Sequence, residues 1–208
     1  MPGDKPQKGK RTVTILLIGM VLGIILWGGF SAGIDATNTE SFCISCHEME
    51  ENVYAEYMDT NHYVNRTGVR ATCPDCHVPR EGIDKFVRKL QASREVYHHL
   101  LGTIDTPAKF DAERMELARH VWRIMKDTDS RECRNCHAAL SMDYDKQEPR
   151  SAERHEQAEE EDLTCIDCHK GIVHSLPAEY DPEQDIPGES IYYDEANTSL
   201  KSYPDLPL

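Results

Sequence analysis

Four five-residue stretches of this chain carry the same chemistry: Cys43-Ile44-Ser45-Cys46-His47, Cys73-Pro74-Asp75-Cys76-His77, Cys133-Arg134-Asn135-Cys136-His137 and Cys165-Ile166-Asp167-Cys168-His169. Each reads Cys-x-x-Cys-His, the attachment pattern of c-type haem. The two thiols form thioethers with the haem vinyls, and the adjacent imidazole is placed to ligate the iron from the proximal side. All eight cysteines of the chain fall inside these motifs. Zinc is the competing chemistry, but a zinc site takes four ligands and does not require a histidine after every second cysteine. A disulfide framework would not place one there either. The motifs therefore specify four covalent haems, with His47, His77, His137 and His169 as the proximal candidates.

An electron-transfer haem held low-spin takes a second axial ligand. The motifs form two pairs, Cys43 to Cys73 over 30 residues and Cys133 to Cys165 over 32. One further histidine stands inside each pair: His62, eleven residues before Cys73, and His155, ten before Cys165. This reads as an internal duplication. His62, His155 and His174 lie outside the motifs and flank them, and they are expected to be distal ligands. Met49 follows His47 by two residues. Methionine sulfur is a haem ligand that raises the potential, and spacing alone leaves Met49 equally a ligand or a packed side chain. His98, His99 and His120 sit within helical stretches far from any motif and are expected to be packing or surface residues.

The elements that must position these groups are mostly helical, with much irregular structure. A polar, basic segment (1–11) precedes an uncharged run from Thr12 to Phe30. At 1.5 Å per residue such a run spans about 30 Å, the thickness of a bilayer core. A cleaved signal peptide has a shorter apolar region, about 7–15 residues, so residues 12–33 are expected to be one retained N-terminal transmembrane helix. The flanking lysines and arginine place the N-terminus in the cytoplasm. The tetrahaem domain, residues 34–176, then lies in the periplasm of a bacterial inner membrane, where c-type haem is attached. It divides into dihaem halves at about 40–80 and 130–176. About a dozen residues link the anchor to Cys43, which holds the first haem near the membrane.

Two helices join the halves. The first covers about Gly82–Leu101, where Ile83, Phe86, Val87, Leu90, Tyr97 and Leu101 repeat with the period of one buried face. It also carries Lys85, Arg88, Lys89 and Arg94, a basic set that admits either a membrane-surface helix or a solvated face. The second opens at Thr106-Pro107, an N-cap followed by Pro at N1, and runs to about Lys126. Residues 177–208 are acidic and Pro-rich, with Lys201 the only basic residue, and read as an extended or disordered tail. The formal net charge of −14 argues against nucleic-acid binding. With four Phe and two Trp, the chain is lean for an ordinary core. Four macrocycles would fill it instead.

The anchor, Phe42–Met49, Thr72–Pro79, Lys89–Ser93, Glu132–His137 and Thr164–His174 resemble the NapC/NirT family of membrane-anchored tetrahaem cytochromes. The resemblance covers about residues 10–176 and leaves the tail outside it. It implies a quinol dehydrogenase that passes electrons to a periplasmic terminal reductase of nitrate, nitrite or N-/S-oxides, directly or through a cytochrome subunit. It implies Met49 as a ligand of haem 1, in place of His47, and supports His62, His155 and His174. Many members of that family carry His in place of Arg80, and its absence here implies that this position is not an indispensable ligand. The family's quinol pocket uses a basic and an acidic residue beside haem 1, which maps onto Glu95 with Arg88 or Lys89. Glu95 would accept the quinol's protons if it is buried. The expected partners are membrane quinol, the reductase and lipid, with a homo-oligomer left open. An anchored relay fed by another quinol oxidase is the rival reading. A catalytic haem reductase would need an open iron position, which the near-saturating supply of His and Met opposes. The purified protein should carry four covalent haems per chain by its alkaline pyridine spectrum, and the same chain without haem attached should show no cooperative melt.

Overall fold

The structure is a computed structural model of the full chain, and it describes residues 7–80, 82–185 and 187–188. Among these residues there are helices and turns and no strand. The first helix, α1 (Gln7–Ala36), is the one helix of the described residues long and apolar enough to cross a membrane. It extends past both ends of the uncharged run. Six residues, not a dozen, therefore separate it from Cys43. Of the basic N-terminal segment expected on the cytoplasmic side, residues 1–6 lie outside the described part.

Short helices carry the attachment motifs: α2 (Glu40–Cys43), α4 (Cys73–His77), α7 (Arg131–Arg134) and α9 (Cys165–Cys168). Between the first two lie a π-helical turn, Met49–Tyr54, and α3 (Ala55–Met58). The second and fourth motifs are built alike. Thr72 caps α4 and donates its N–H and Oγ–H to Asp75, and Thr164 does the same to Asp167 at the start of α9. These capping boxes hold a helix of only four or five residues that could not persist alone. The duplication is thus written in the local geometry as well as in the spacing.

The long helices α5 (Gly82–Leu101) and α6 (Pro107–Asp127) join the halves, and α8 (Pro149–Glu160) carries His155. Thr106 caps α6 by accepting from Lys109 N–H. After α6 the chain turns through Asp129 and Ser130, both with positive φ. Two consecutive left-handed residues that are not glycine cost about 1–3 kcal/mol each. The fully buried Ser130 accepts from Ile166 N–H at 3.1 Å, which ties the third motif to the fourth and offsets that strain.

Ordinary side chains supply little core. The buried hydrophobic residues of the described part are Tyr57, Phe110, Trp122 and Ile166. The apolar residues of α5 do not form a buried face. Ile83 is 79% and Leu100 76% exposed, and Phe86, Leu90, Tyr97 and Leu101 are exposed too. The periodicity is real, but no protein element covers it. Instead α5 is fastened to the end of the anchor. Lys85 Nζ reaches Asp35 Oδ1 at 2.6 Å, Lys89 Nζ donates to Thr37 O at 2.8 Å, and Phe30 meets Phe86 edge-on at 5.8 Å. An exposed apolar helix face joined to a membrane-spanning helix is the arrangement of an interfacial helix.

The tail begins later than the composition suggests. Tyr180 packs on Trp122 at 5.4 Å, and Lys170 pairs with Asp185 at 2.6 Å with both side chains nearly buried. The rest of the expected tail, apart from residues 187–188, lies outside the described residues. Removing one member of a buried ion pair costs about 3–5 kcal/mol, because the other charge is left uncompensated. Asp185→Ala should therefore lower thermal stability by about that amount, read from the melting curve of the haem-loaded protein.

Candidate functional site

The motif sulfurs come together in the order of the chain. The Cys43 thiol is within hydrogen-bonding contact of Cys73, and Cys133 of Cys165. α2 touches α4 and α4 touches α7, and Arg80 reaches from the end of the second motif to Cys136 of the third. The four attachment sites thus form one continuous row. They line a single cavity of about 3420 Å³. A pocket for one small ligand holds about 300–1,000 Å³, so this space suits several large groups.

The histidines test whether haem fits. His77 and His174 have ring centroids 6.2 Å apart, His62 and His137 6.2 Å, and His155 and His169 5.9 Å. Two metal–imidazole bonds of about 2 Å each, with the half-width of each ring added, put trans-ligating rings about 6 Å apart. Three motif histidines therefore face a second imidazole across a slot that fits one iron. His62 faces across the halves: it sits in the first and meets the third motif. Two of the partners are held in place. Gln147 Oε1 takes His155 Nδ1 at 2.6 Å, which leaves Nε2 for metal. Glu56 pairs with Arg114 at 3.0 Å and accepts Ser175 N–H at 3.0 Å, which clamps the segment next to His174. The protonation state fits as well. Burial, together with His174 and Arg88, pushes the His77 imidazole down to about 4. Burial also lowers His62, His169 and His174. Neutral imidazole is the form that binds metal. The residues present fit c-type haem.

The first motif is different. Met49 opens the π-helical turn and lines the cavity with Cys43 and Cys46. The His47 ring lies 6.0 Å from that of His99. Glu48 is buried between motif and helix, with Oε1 at 2.5 Å from His99 Nδ1 and Oε2 at 3.5 Å from His47 Nε2. Sequence reasoning placed His99 on a packing or surface face. The usable signal was its position four residues after Glu95, on the same side of α5.

The residues expected to meet quinol are brought together in part. Arg88 Nη2 and Glu95 Oε1 pair at 2.7 Å, and Arg88 Nε donates to His77 O at 3.2 Å. Lys89 instead points at the anchor. Glu95 is not buried: it lines the cavity with its side chain 62% exposed and pairs with Arg88. Its setting is an ion pair, not a desolvated pocket. Replacing His62 with Ala should turn one low-spin haem into one that binds carbon monoxide when reduced. In a protein already lacking Cys133 and Cys136, the same replacement should add nothing, and absorption difference spectra would separate this from pairing inside the first half.

The chain matches the NapC/NirT cytochrome c family, N-terminal region, over residues 5–179. It is 56% identical over 187 residues to the denitrification system component NirT of Stutzerimonas stutzeri, covering 84% of this chain and 93% of that one. It is 58% identical over 164 residues to the cytochrome c-type protein NapC of Escherichia coli strain K12, covering 79% of this chain and 82% of the relative. The cytochrome c-type protein TorC of the same strain is 43% identical over 174 residues, which is 83% of this chain and 44% of TorC. No solved structure matches it.

Proposed function

Because the chain belongs to the NapC/NirT cytochrome c family, we propose that it is a membrane-anchored tetrahaem cytochrome that oxidises membrane quinol and passes the electrons to a periplasmic terminal reductase. The reductase would act on nitrate, nitrite or an N- or S-oxide, in anaerobic respiration. One observation carries the quinol part. The helix bearing Arg88 and Glu95 is fastened to the emerging end of the anchor, exposes its apolar face, and lies against the first two motifs. A lipid-soluble substrate arriving in the bilayer would meet this helix first.

Cys43, Cys46, Cys73, Cys76, Cys133, Cys136, Cys165 and Cys168 would hold the four haems. His77 with His174, His137 with His62, and His169 with His155 would ligate three of the irons, and the resemblance assigns Met49 to the first. Haem supplies one-electron redox chemistry when bound. The residues of the chain do the rest. Quinol yields two electrons and two protons, so a proton acceptor must stand at its hydroxyl. The Glu95 carboxylate takes that role, and Arg88 orients it through the 2.7 Å pair while anchored to His77 O. Lys89, which also lines the cavity, would be the second basic group of the site, with its ammonium donating to Thr37 O at the end of the anchor. The basic segment before α1 favours a cytoplasmic N-terminus, with the motifs on the periplasmic side.

Reduction by a menaquinol or ubiquinol analogue, followed at the haem absorption bands of the detergent-solubilised protein, tests this. Rapid reduction is expected, slowed about 10²–10⁴-fold in Glu95→Gln with haem content unchanged. A fully loaded protein that no quinol analogue reduces would instead be an anchored relay fed by another quinol oxidase.

A further inference from the structure

The three facing imidazole pairs are not alike. The rings of His77 and His174 are inclined at 26° and those of His155 and His169 at 27°, close to parallel. Those of His62 and His137 stand at 69°, close to crossed. An iron held between them would feel the difference. Parallel rings act on the same one of the two iron dπ orbitals and split the pair. Crossed rings act on both and leave them nearly equal in energy. A ferric haem with crossed imidazoles therefore gives a low-spin resonance with a larger maximum g value than one with parallel imidazoles.

The cause of the crossed setting lies in the first half. His62 stands in residues 59–72, which join α3 to α4 without a helix. A ligand on such a segment depends on the groups around it for its orientation. His62 O accepts Ala71 N–H at 3.1 Å. Ala71 O in turn accepts from the hydroxyl of the buried Tyr57. Arg70 Nε donates to that hydroxyl at 3.2 Å, and Arg70 Nη2 donates at 2.5 Å to Glu40 Oε1, on the helix of the first motif. The same guanidinium lies over the ring of Tyr63, the residue after His62, at 4.1 Å from its centroid. One arginine thus holds the chain on both sides of the imidazole. A guanidinium can do so because its donors form a rigid planar fork and its face stacks on aromatic rings.

We propose that Arg70 is the positioning residue of His62: braced by Glu40 and Tyr57, it holds the ring crosswise to His137 and sets the iron between them apart from the other two irons with paired imidazoles. This rests on the reading of His62 and His137 as ligands of one iron, and not on quinol as the electron donor. It gives the helix of the first motif a hold on the haem of the third, across the halves. The brace acts through the backbone of the ligand, whereas Gln147 orients His155 through its ring nitrogen.

The experiment is low-temperature electron paramagnetic resonance of the oxidised, fully loaded protein, which needs no quinol activity. The parent should show a large-g low-spin signal from one haem per chain. In Arg70→Met, with four haems still attached by the alkaline pyridine spectrum, that signal should broaden or move to smaller g while the others keep their positions. Arg70→Lys keeps the charge but lacks the fork, and should behave like Arg70→Met. A parent without the large-g signal, or one whose signal persists unchanged in Arg70→Met, would overturn the proposal. So would an equal change in every haem signal, the mark of a general loosening. If Arg70→Met does not accumulate, Tyr57→Phe keeps the buried ring and removes the hydroxyl link. It should move the same signal, and an unmoved signal there would count against the brace. His62→Ala separates the underlying reading. It should abolish the large-g signal and open one haem to carbon monoxide. If it does neither, the ligand pair itself is wrong. If it does both while Arg70→Met changes nothing, the pair stands and only the role of Arg70 falls.

Discussion

An iron in a macrocycle takes its two axial ligands from opposite faces, so each attachment motif needs a partner delivered from elsewhere in the chain at a ring separation near 6 Å. That spacing recurs at three motifs with second histidines from three different segments. It explains why so little of this protein is packed in the ordinary way. Two buried residues, Trp122 and Ile166, form the side-chain cluster of the described part. The remaining interior is a cavity lined by thiols, imidazoles and the flanks of α5 and α6. Helices of four or five residues hold their shape through caps and through the motif chemistry, since their own hydrogen bonds are too few.

The same requirement knits the halves. His62 belongs to the first half by position and faces His137 of the second. His174 belongs to the second and faces His77 of the first. The duplication therefore did not produce two independent units side by side. Two crossing pairs of facing imidazoles, the buried bond from Ile166 N–H to Ser130 Oγ and the 2.5 Å pair of Lys126 with Asp167 join the parts. Asp167 is a case where opposed effects can be ranked. Burial disfavours its charge, yet the Lys126 ammonium and the Thr164 donors outweigh it and hold the carboxyl below its usual range.

Attachment to the bilayer is a second use of one helix. The cations of α5 turn inward, to Asp35, Thr37 O, His77 O and Glu95. Of its apolar residues, Ile83, Val87 and Val96 line the cavity, while Phe86, Leu90, Tyr97, Leu100 and Leu101 are exposed. An apolar face exposed beside the end of the anchor suits a lipid neighbour. The reactive face of α5 and the first motif thereby share one location, a short chain length from the anchor.

How much of this was legible before any fold? The c-type haem chemistry was legible, because Cys-x-x-Cys-His is formed by residues adjacent in the chain and needs no tertiary arrangement to be recognised. The family, the apolar anchor, and the bounds of α5 and α6 were legible for the same reason: composition, period and Thr106-Pro107 are local signals. What faced what was not. Periodicity showed that α5 has an apolar side, but could not say whether protein or lipid would cover it. Spacing marked His62, His155 and His174 as spare imidazoles without pairing them, since the facing rings belong to residues as far apart as His77 and His174. Composition suggested a loose tail from residue 177, while Tyr180 and Asp185 fold back onto Trp122 and Lys170. His99 was indistinguishable from any helical histidine until Glu48 came to rest against it. The sequence by itself determined which atoms can bind haem and which segment can enter a membrane. Only the tertiary structure decided which imidazoles stand face to face and which side of α5 is left exposed beside the anchor, because both depend on contacts between residues that the chain holds far apart.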